Sequence, residues 1–143
     1  LSIDFPVEIV IFLITPLVLD SRMLGFLAAT NGMGGNGAKV YQCKTCGGLI
    51  THSDRLIAVG GANRHLFTNP AGVDCDFQTF YSCPGAIAIG QATEAHTWFS
   101  GYCWRMAFCR HCEQHLGWHY EAVSRYERPL EFWGILVSQL TTE

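Results

Sequence analysis

Tyr102-Cys103-Trp104-Arg105-Met106-Ala107-Phe108-Cys109-Arg110-His111-Cys112 reads as a strand running into a metal knuckle. Tyr102, Trp104, Met106 and Phe108 make an apolar face with period two, and Cys103, Arg105 and Ala107 stand opposite. That alternation belongs to a β-strand and not to a helix. The last four residues repeat the spacing of Cys43-Lys44-Thr45-Cys46. A Cys-x-x-Cys turn sets two thiolates one tetrahedral edge apart, so two such turns brought together give a closed four-sulfur shell for Zn2+. Cys43, Cys46, Cys109 and Cys112 are therefore the expected ligands, and with no position left for water the zinc is structural. A metal that clips together doublets so distant in the chain constrains the unfolded state strongly.

These residues admit other readings. Haem attachment needs a His directly after the second cysteine, where this chain has Gly47 and Glu113. His115-x3-His119 offers a site of two cysteines and two histidines, at the cost of leaving one doublet idle. Disulfides within the doublets would need an oxidising compartment. The count of 7 cysteines is odd and excludes complete pairing, and Cys75, Cys83 and Cys103 are spare thiols with no assigned role.

Working outward, the segments between the doublets are short and mostly alternating. In 73–81 the odd positions are largely apolar through Phe77, after which both faces turn apolar, as for a strand between two layers. Asn69-Pro70-Ala71-Gly72, Cys83-Pro84-Gly85 and Ser100-Gly101 supply turns. Only 129–140 reads as a candidate helix, and Trp133-Gly134 weakens that reading. The expected class is thus mainly β.

The chain has 143 residues, 49 % hydrophobic and 15 % charged, which fits one packed domain with an ample core. Net charge is −3 and the basic residues form no run of three, so no nucleic-acid partner is expected. Residues 1–29 are strongly apolar but interrupted by Glu8, Pro16, Asp20 and Arg22, too short a run for a spanning helix. They read as a signal or targeting remnant, or as sequence outside the fold. Localisation follows from that choice: secreted in the first case, cytoplasmic in the second. Without Asp4, Glu8, Asp20 and Arg22 the remainder carries 9 acidic against 8 basic residues. Residues 30–38 read as a Gly/Asn linker and 39–143 as the folded domain.

Three of the 4 tryptophans gather around the second doublet. Trp98 and Trp104 flank a turn, and Trp118 follows the knuckle. Core packing is one reading; an aromatic box is the other. Such a box takes either a cation, through the ring quadrupole, or a flat neutral ring. A neutral cyclic amide wants acceptors and donors in alternation, which backbone groups near Trp98 can supply.

Cys43-x-x-Cys46, Asn69-Pro70, His96-Thr97-Trp98-Phe99-Ser100-Gly101-Tyr102-x-Trp104, Cys109-x-x-Cys112-x-x-His115-Leu116-Gly117-Trp118-x-Tyr120 and Phe132-Trp133-Gly134 together resemble the thalidomide-binding (CULT) domain of cereblon and its stand-alone bacterial relatives. The resemblance implies a β-tent, two antiparallel sheets meeting at an angle and pinned by the four-cysteine zinc. It also implies a tri-tryptophan pocket for cyclic imides: glutarimide, thalidomide-type drugs, uracil or uridine-like rings, or the C-terminal cyclic imide of a peptide. By position, Trp98, Trp104 and Trp118 are the walls and Tyr120 closes the pocket. Asn69 and Pro70 lie in the covering loop, and His96 and Trp98 offer the backbone groups that bind the imide. The implied activity is capture without chemistry. Ligase recruitment in cereblon runs through a preceding Lon-like domain, for which this chain has no room, so no ubiquitin-ligase adaptor surface is expected.

The doublets followed by His115-Leu116-Gly117 also resemble the B-type methionine sulfoxide reductases, which share the β-tent and the four-cysteine zinc. That chemistry needs a nucleophilic thiolate, which in that family follows the second doublet. Here the last cysteine is Cys112, itself an expected ligand. Cys103 is the substitute, and its place in an alternating strand argues for a buried, inert thiol. Imide hydrolysis using His96 or Glu94 and recognition of a quaternary ammonium are two further readings.

Overall fold

The computed structural model describes residues 37–143; the apolar segment 1–29 and linker positions 30–36 lie outside the described residues. The strands run β1 Val40–Cys43, β2 Leu49–His52, β3 Arg64–Thr68, β4 Asp74–Phe80, β5 Ala86–Thr93, β6 Tyr102–Cys109, β7 His115–Ala122, β8 Glu131–Leu136 and β9 Leu140–Thr142. Two 3-10 turns, Ser53–Arg55 and Val137–Gln139, are the helical pieces among the described residues. Every pairing is antiparallel, in a three-stranded sheet ordered β2-β1-β9 and a six-stranded sheet ordered β3-β4-β8-β7-β6-β5.

The larger sheet is apolar on both faces because each face has its own core. Side chains directly opposite in an antiparallel pair share a face, and alternate residues change face. Trp104 pairs with Tyr120 and Tyr120 with Phe132, while Met106 pairs with Trp118 and Trp118 with Gly134. With Cys75 and Phe77 of β4, and with Val59 and Phe99 from loops, these form one buried cluster. On the reverse face Phe80, Leu116, Cys109 and Ile135 pack against Tyr41, Cys43 and Ile50 of the small sheet. Phe77, Phe80, Leu116, Phe132 and Ile135 are fully buried, each contributing about 1.5–3 kcal/mol by leaving water.

This double burial corrects the helix expected over 129–140. Phe132 and Gly134 face one core and Ile135 the other, so the segment carries no polar face to reveal its period. Gly134 is favoured by contact: an added Cβ would lie 3.0 Å from the Phe77 ring and 3.4 Å from that of Tyr120, so both buried rings would have to shift. At Gly117 the constraint is harsher, since a Cβ would stand 2.0 Å from the Gly134 carbonyl oxygen. β7 and β8 thus approach closely just before Trp118. A bulge at Leu116 of β7, opposite Ala107 and Phe108 of β6, adjoins the same point and strengthens the local twist.

Candidate metal centre and aromatic site

β1 and β6 each end in a cysteine and turn through knuckles of the same construction. The Cys43 amide donates to the Gly48 carbonyl, and the Gly47 amide donates to the Cys43 carbonyl, both at 2.8 Å. In the second knuckle Cys109 N–H donates to Gln114 O at 2.8 Å and Glu113 N–H to Cys109 O at 2.9 Å. The same position in both is left-handed, Gly47 at φ +75° and Glu113 at φ +63°. Glycine adopts that region freely and glutamate at a cost.

These turns bring four sulfurs together. Cys43 Sγ lies 3.7 Å from Cys112 Sγ, Cys46 Sγ lies 3.7 Å from Cys109 Sγ, and all four fall within 4.8 Å of one another. A tetrahedron with Zn–S bonds of about 2.3 Å has sulfur edges of about 3.8 Å, so the donor set fits the ion. The cofactor is a structural zinc. All seven cysteines are free thiols, which sets aside disulfides within the doublets. Histidines do not replace a doublet: His115 Nε2 donates to the Gly117 carbonyl at 2.9 Å, and the His119 ring packs 4.3 Å from that of Trp133. Without the ion, burial pushes the Cys109 thiol up to about 11 and raises Cys112 as well. At Cys43 the same burial is outweighed by the Cys46 and Thr45 amides, leaving that thiol below its ordinary value. Metal binding therefore displaces protons as it closes the shell.

At the other core the aromatic residues converge. The rings of Trp98 and Trp118 are 5.0 Å apart and nearly perpendicular at 82°. Trp98 stacks on Phe67 and on Phe77, each at 5.5 Å, and Phe77 meets Trp118 edge-on at 5.9 Å. Trp104 packs against the same cluster and its Nε1–H donates to Ala95 O at 2.9 Å. That bond ties β6 to the 94–98 loop, in which His96 is exposed and left-handed at φ +56°. A non-glycine residue held there is strained, and such strain collects at binding loops. Tyr120 is buried and its phenol is pushed far above its ordinary value by burial. Its ring stacks on Phe132 at 4.7 Å. Asn69 is 8 % exposed, and its Oδ1 accepts from Ala71 N–H at 3.0 Å and Val73 N–H at 2.9 Å. Its Nδ2 is buried without a hydrogen-bond partner.

The family described as "Yippee zinc-binding/DNA-binding /Mis18, centromere assembly" matches residues 39–142, most of the chain. This chain belongs to the Yippee-Mis18 family. Within it the likeness is to cereblon. Protein cereblon of Danio rerio is 38 % identical over 74 residues, which is 52 % of this chain and 17 % of that protein. Its counterpart in Drosophila persimilis is 26 % identical over 148 residues, 94 % of this chain and 24 % of that one. The chain thus spans about a quarter or less of the curated relatives it matches, and it is a cereblon-like, CULT-type domain. Among solved structures, the Mis18 "Yippee-like" domain superposes with a TM-score of 0.52 at 12 % identity, covering 75 % of this chain and 96 % of that one. That likeness concerns the fold alone.

For this Yippee-Mis18 domain the expected site residues distribute as follows. The four cysteines meet, and Trp98, Trp104, Trp118 and Tyr120 share one cluster. Asn69 anchors the β3–β4 turn while Pro70 is exposed on it. Cys103 is half-buried on the opposite face of β6, its Sγ donating to Glu121 O at 3.4 Å. Sequence reasoning missed Phe99, which is buried against His65, Phe67, Phe77, Tyr120 and Phe132. It also missed His65, whose ring stacks on Phe67 at 5.7 Å and on Phe77 at 5.5 Å. The alternation His65-x-Phe67-x-Asn69 was the available signal. His115, expected only as a metal alternative, packs edge-on against Trp118 at 5.6 Å.

Proposed function

We propose that this domain is a non-enzymatic receptor that captures a cyclic imide in its aromatic site. The ring stands among the indoles of Trp98, Trp104 and Trp118, with Tyr120 behind them. Backbone groups of the loop at His96 and Trp98 read the imide N–H and its two carbonyls. The ligand class is glutarimide and thalidomide-type rings, uracil or uridine-like rings, and peptides ending in a cyclised Asn or Gln. The carrying observation is the perpendicular Trp98–Trp118 pair at 5.0 Å, placed at the positions that the cereblon resemblance assigns to cage walls. Perpendicular indoles offer one face and one edge to a flat ring, which suits a neutral heterocycle. Near-neutral charge over the domain supports a small ligand over nucleic acid.

A tryptophan-fluorescence titration with glutarimide, and in parallel with N-methylglutarimide, tests the proposal. Saturable binding of the first is expected, with the N-methyl ring weaker by at least about 1–3 kcal/mol because an acceptor is left unpaired. Trp104→Ala and Trp118→Ala should abolish binding while zinc content stays at one ion per chain. Equal binding of both rings, or retained affinity in both variants, overturns it. Choline serves as the competing cation, and displacement by it would favour a quaternary-ammonium site instead. The sulfoxide-reductase reading is the weaker one. Its nucleophile would have to be Cys103, whose sulfur lies on the sheet face away from the indoles.

A further inference from the structure

Behind the aromatic site, on the reverse face of the same three strands, lies a polar cluster that neither the zinc nor the ligand reading uses. Strand alternation puts Trp118 and Tyr120 of β7 on one face and His119 and Glu121 on the other. Register places Arg105 of β6 and Trp133 of β8 opposite His119, and Glu131 of β8 opposite Glu121. His119 is only 6 % exposed. Its Nδ1 is 3.5 Å from Glu121 Oε1 and its Nε2 is 3.4 Å from Glu131 Oε2. Arg105 donates to the same Glu121 Oε1. Both gaps exceed an ordinary N–H···O bond by roughly half an ångström, and Nδ1 has no hydrogen-bond partner.

We propose that His119 is a proton-dependent positioning residue: on protonation it joins the Arg105–Glu121 pair of β6 and β7 to Glu131 of β8, clamps the three strands from behind and sharpens the placement of Trp118 and Tyr120. A neutral imidazole has one N–H, yet both ring nitrogens face carboxylate oxygens, so one lone pair must oppose another. Imidazolium has two N–H groups and can close both gaps by a sub-ångström movement. Protonation also takes the cluster of Arg105, His119, Glu121 and Glu131 from one net negative charge to zero. The Trp133 ring, 4.3 Å away, then faces a cation. Among the described residues these are the charged groups that face His119, from β6, β7 and β8. Burial holds the His119 pKa below the ordinary imidazole range, against the pull of Glu131 and Glu121 and with a further push down from Arg105. The clamp therefore engages on the acid side of neutrality.

The sign of the effect separates the clamp from a merely structural histidine. A folded-state pKa below the unfolded one makes the fold less stable as pH falls through the range between them. A structural role lets affinity decline together with stability. The clamp makes ligand affinity rise while stability declines. Its consequence for ligand rests on the imide reading above; the clamp itself does not.

The test uses the full chain with zinc bound, at pH 7.5 and pH 5.5, as wild type, His119→Gln and Glu131→Gln. Glutarimide affinity of the wild type should rise about fivefold or more on acidification, the lower end of ordinary site-to-site coupling. It should stay flat in both variants, which retain His65, His96 and His115. By reciprocity, saturating glutarimide should raise the His119 pKa read by NMR by about 0.7 unit. Independently of any ligand, in a Trp133→Phe background that removes the indole touching His119, the remaining indole emission should shift with pH with the midpoint of His119, and that shift should vanish when His119→Gln or Glu131→Gln is added. A wild-type affinity that is flat or falls with acid, or an indole shift that persists in the variants, overturns the clamp. If glutarimide fails to bind at either pH, the imide reading has failed and the ligand-free emission alone decides the clamp.

Discussion

Cys109→Ser removes one sulfur from the zinc shell at its most buried point. The sulfur pairs with Cys46, 63 residues earlier, and Cys109 has no exposed surface. Treated as a cross-link, closure of a loop of that length removes about 4 kcal/mol of unfolded-chain entropy at 25 °C. A domain of this size holds in total about 5–15 kcal/mol. At about 4–8 °C per kcal/mol for a chain near 100 residues, the melting temperature should fall by at least about 15 °C. The buried hydroxyl adds to the loss. Scanning calorimetry together with metal analysis on the same sample measures both quantities, and wild type stripped by a strong chelator should match the variant. A variant that has lost its zinc yet melts within about 5 °C of the wild type would refute the clip. One that keeps a full zinc ion per chain would refute the four-sulfur shell.

Gly117→Ala places a Cβ 2.0 Å from the Gly134 carbonyl oxygen, a backbone atom that cannot swing aside. The expected cost is at or above the upper end of about 1–3 kcal/mol for overpacking, read as a drop in urea midpoint, and a cost under about 1 kcal/mol would mean that β7 and β8 can separate freely. Asn69→Ala strips the acceptor shared by the Ala71 and Val73 amides and should lower stability by about 1–3 kcal/mol in the same assay; no change would show that water replaces Oδ1 at once. Trp104→Phe keeps an aromatic wall but loses the bond to Ala95 O. A neutral hydrogen bond of about 0.5–1.5 kcal/mol predicts a melting temperature lower by about 2–12 °C and glutarimide affinity weaker by up to roughly 12-fold, and unchanged affinity would detach the indole N–H from the loop's placement.

What could be read in the sequence was what is local. Period two in 102–108 and the paired Cys-x-x-Cys spacings are short-range patterns, and both the strand and the metal cluster follow them. β8 was not legible because alternation marks a strand only when one face is wet. Here Phe132 and Ile135 enter different cores, so the pattern reads as continuous apolar chain. Phe99 was hidden for another reason: it sits in no strand, and only the fold brings His65, Phe67 and Phe77 around it. The left-handed backbone at Glu113 and His96 leaves no sequence signal either, since both carry side chains that usually avoid it. The cage positions came from resemblance, not from periodicity. Alternation alone put Trp104 on a face without saying that Trp98, from a loop, would meet Trp118.

The metal and the aromatic site are also connected by construction. The second knuckle is the β6–β7 turn, so the chain that supplies Cys109 and Cys112 joins the strand of Trp104 to the strand of Trp118 and Tyr120. Between knuckle and indoles lie the bulge at Leu116 opposite Ala107 and Phe108 and the close approach of Gly117 to Gly134, the irregularities that set how β7 pairs with β6 and with β8. Zinc fixes the turn; the turn fixes the register; the register decides which side chains share the face of Trp98. A one-residue slip would carry Trp118 to the reverse face and His119 into the cage. Zinc removal under conditions that retain strand structure should therefore extinguish imide binding before the sheet is lost. Affinity that survives in a zinc-free but folded sample would mean that the Gly117–Gly134 approach holds the register unaided.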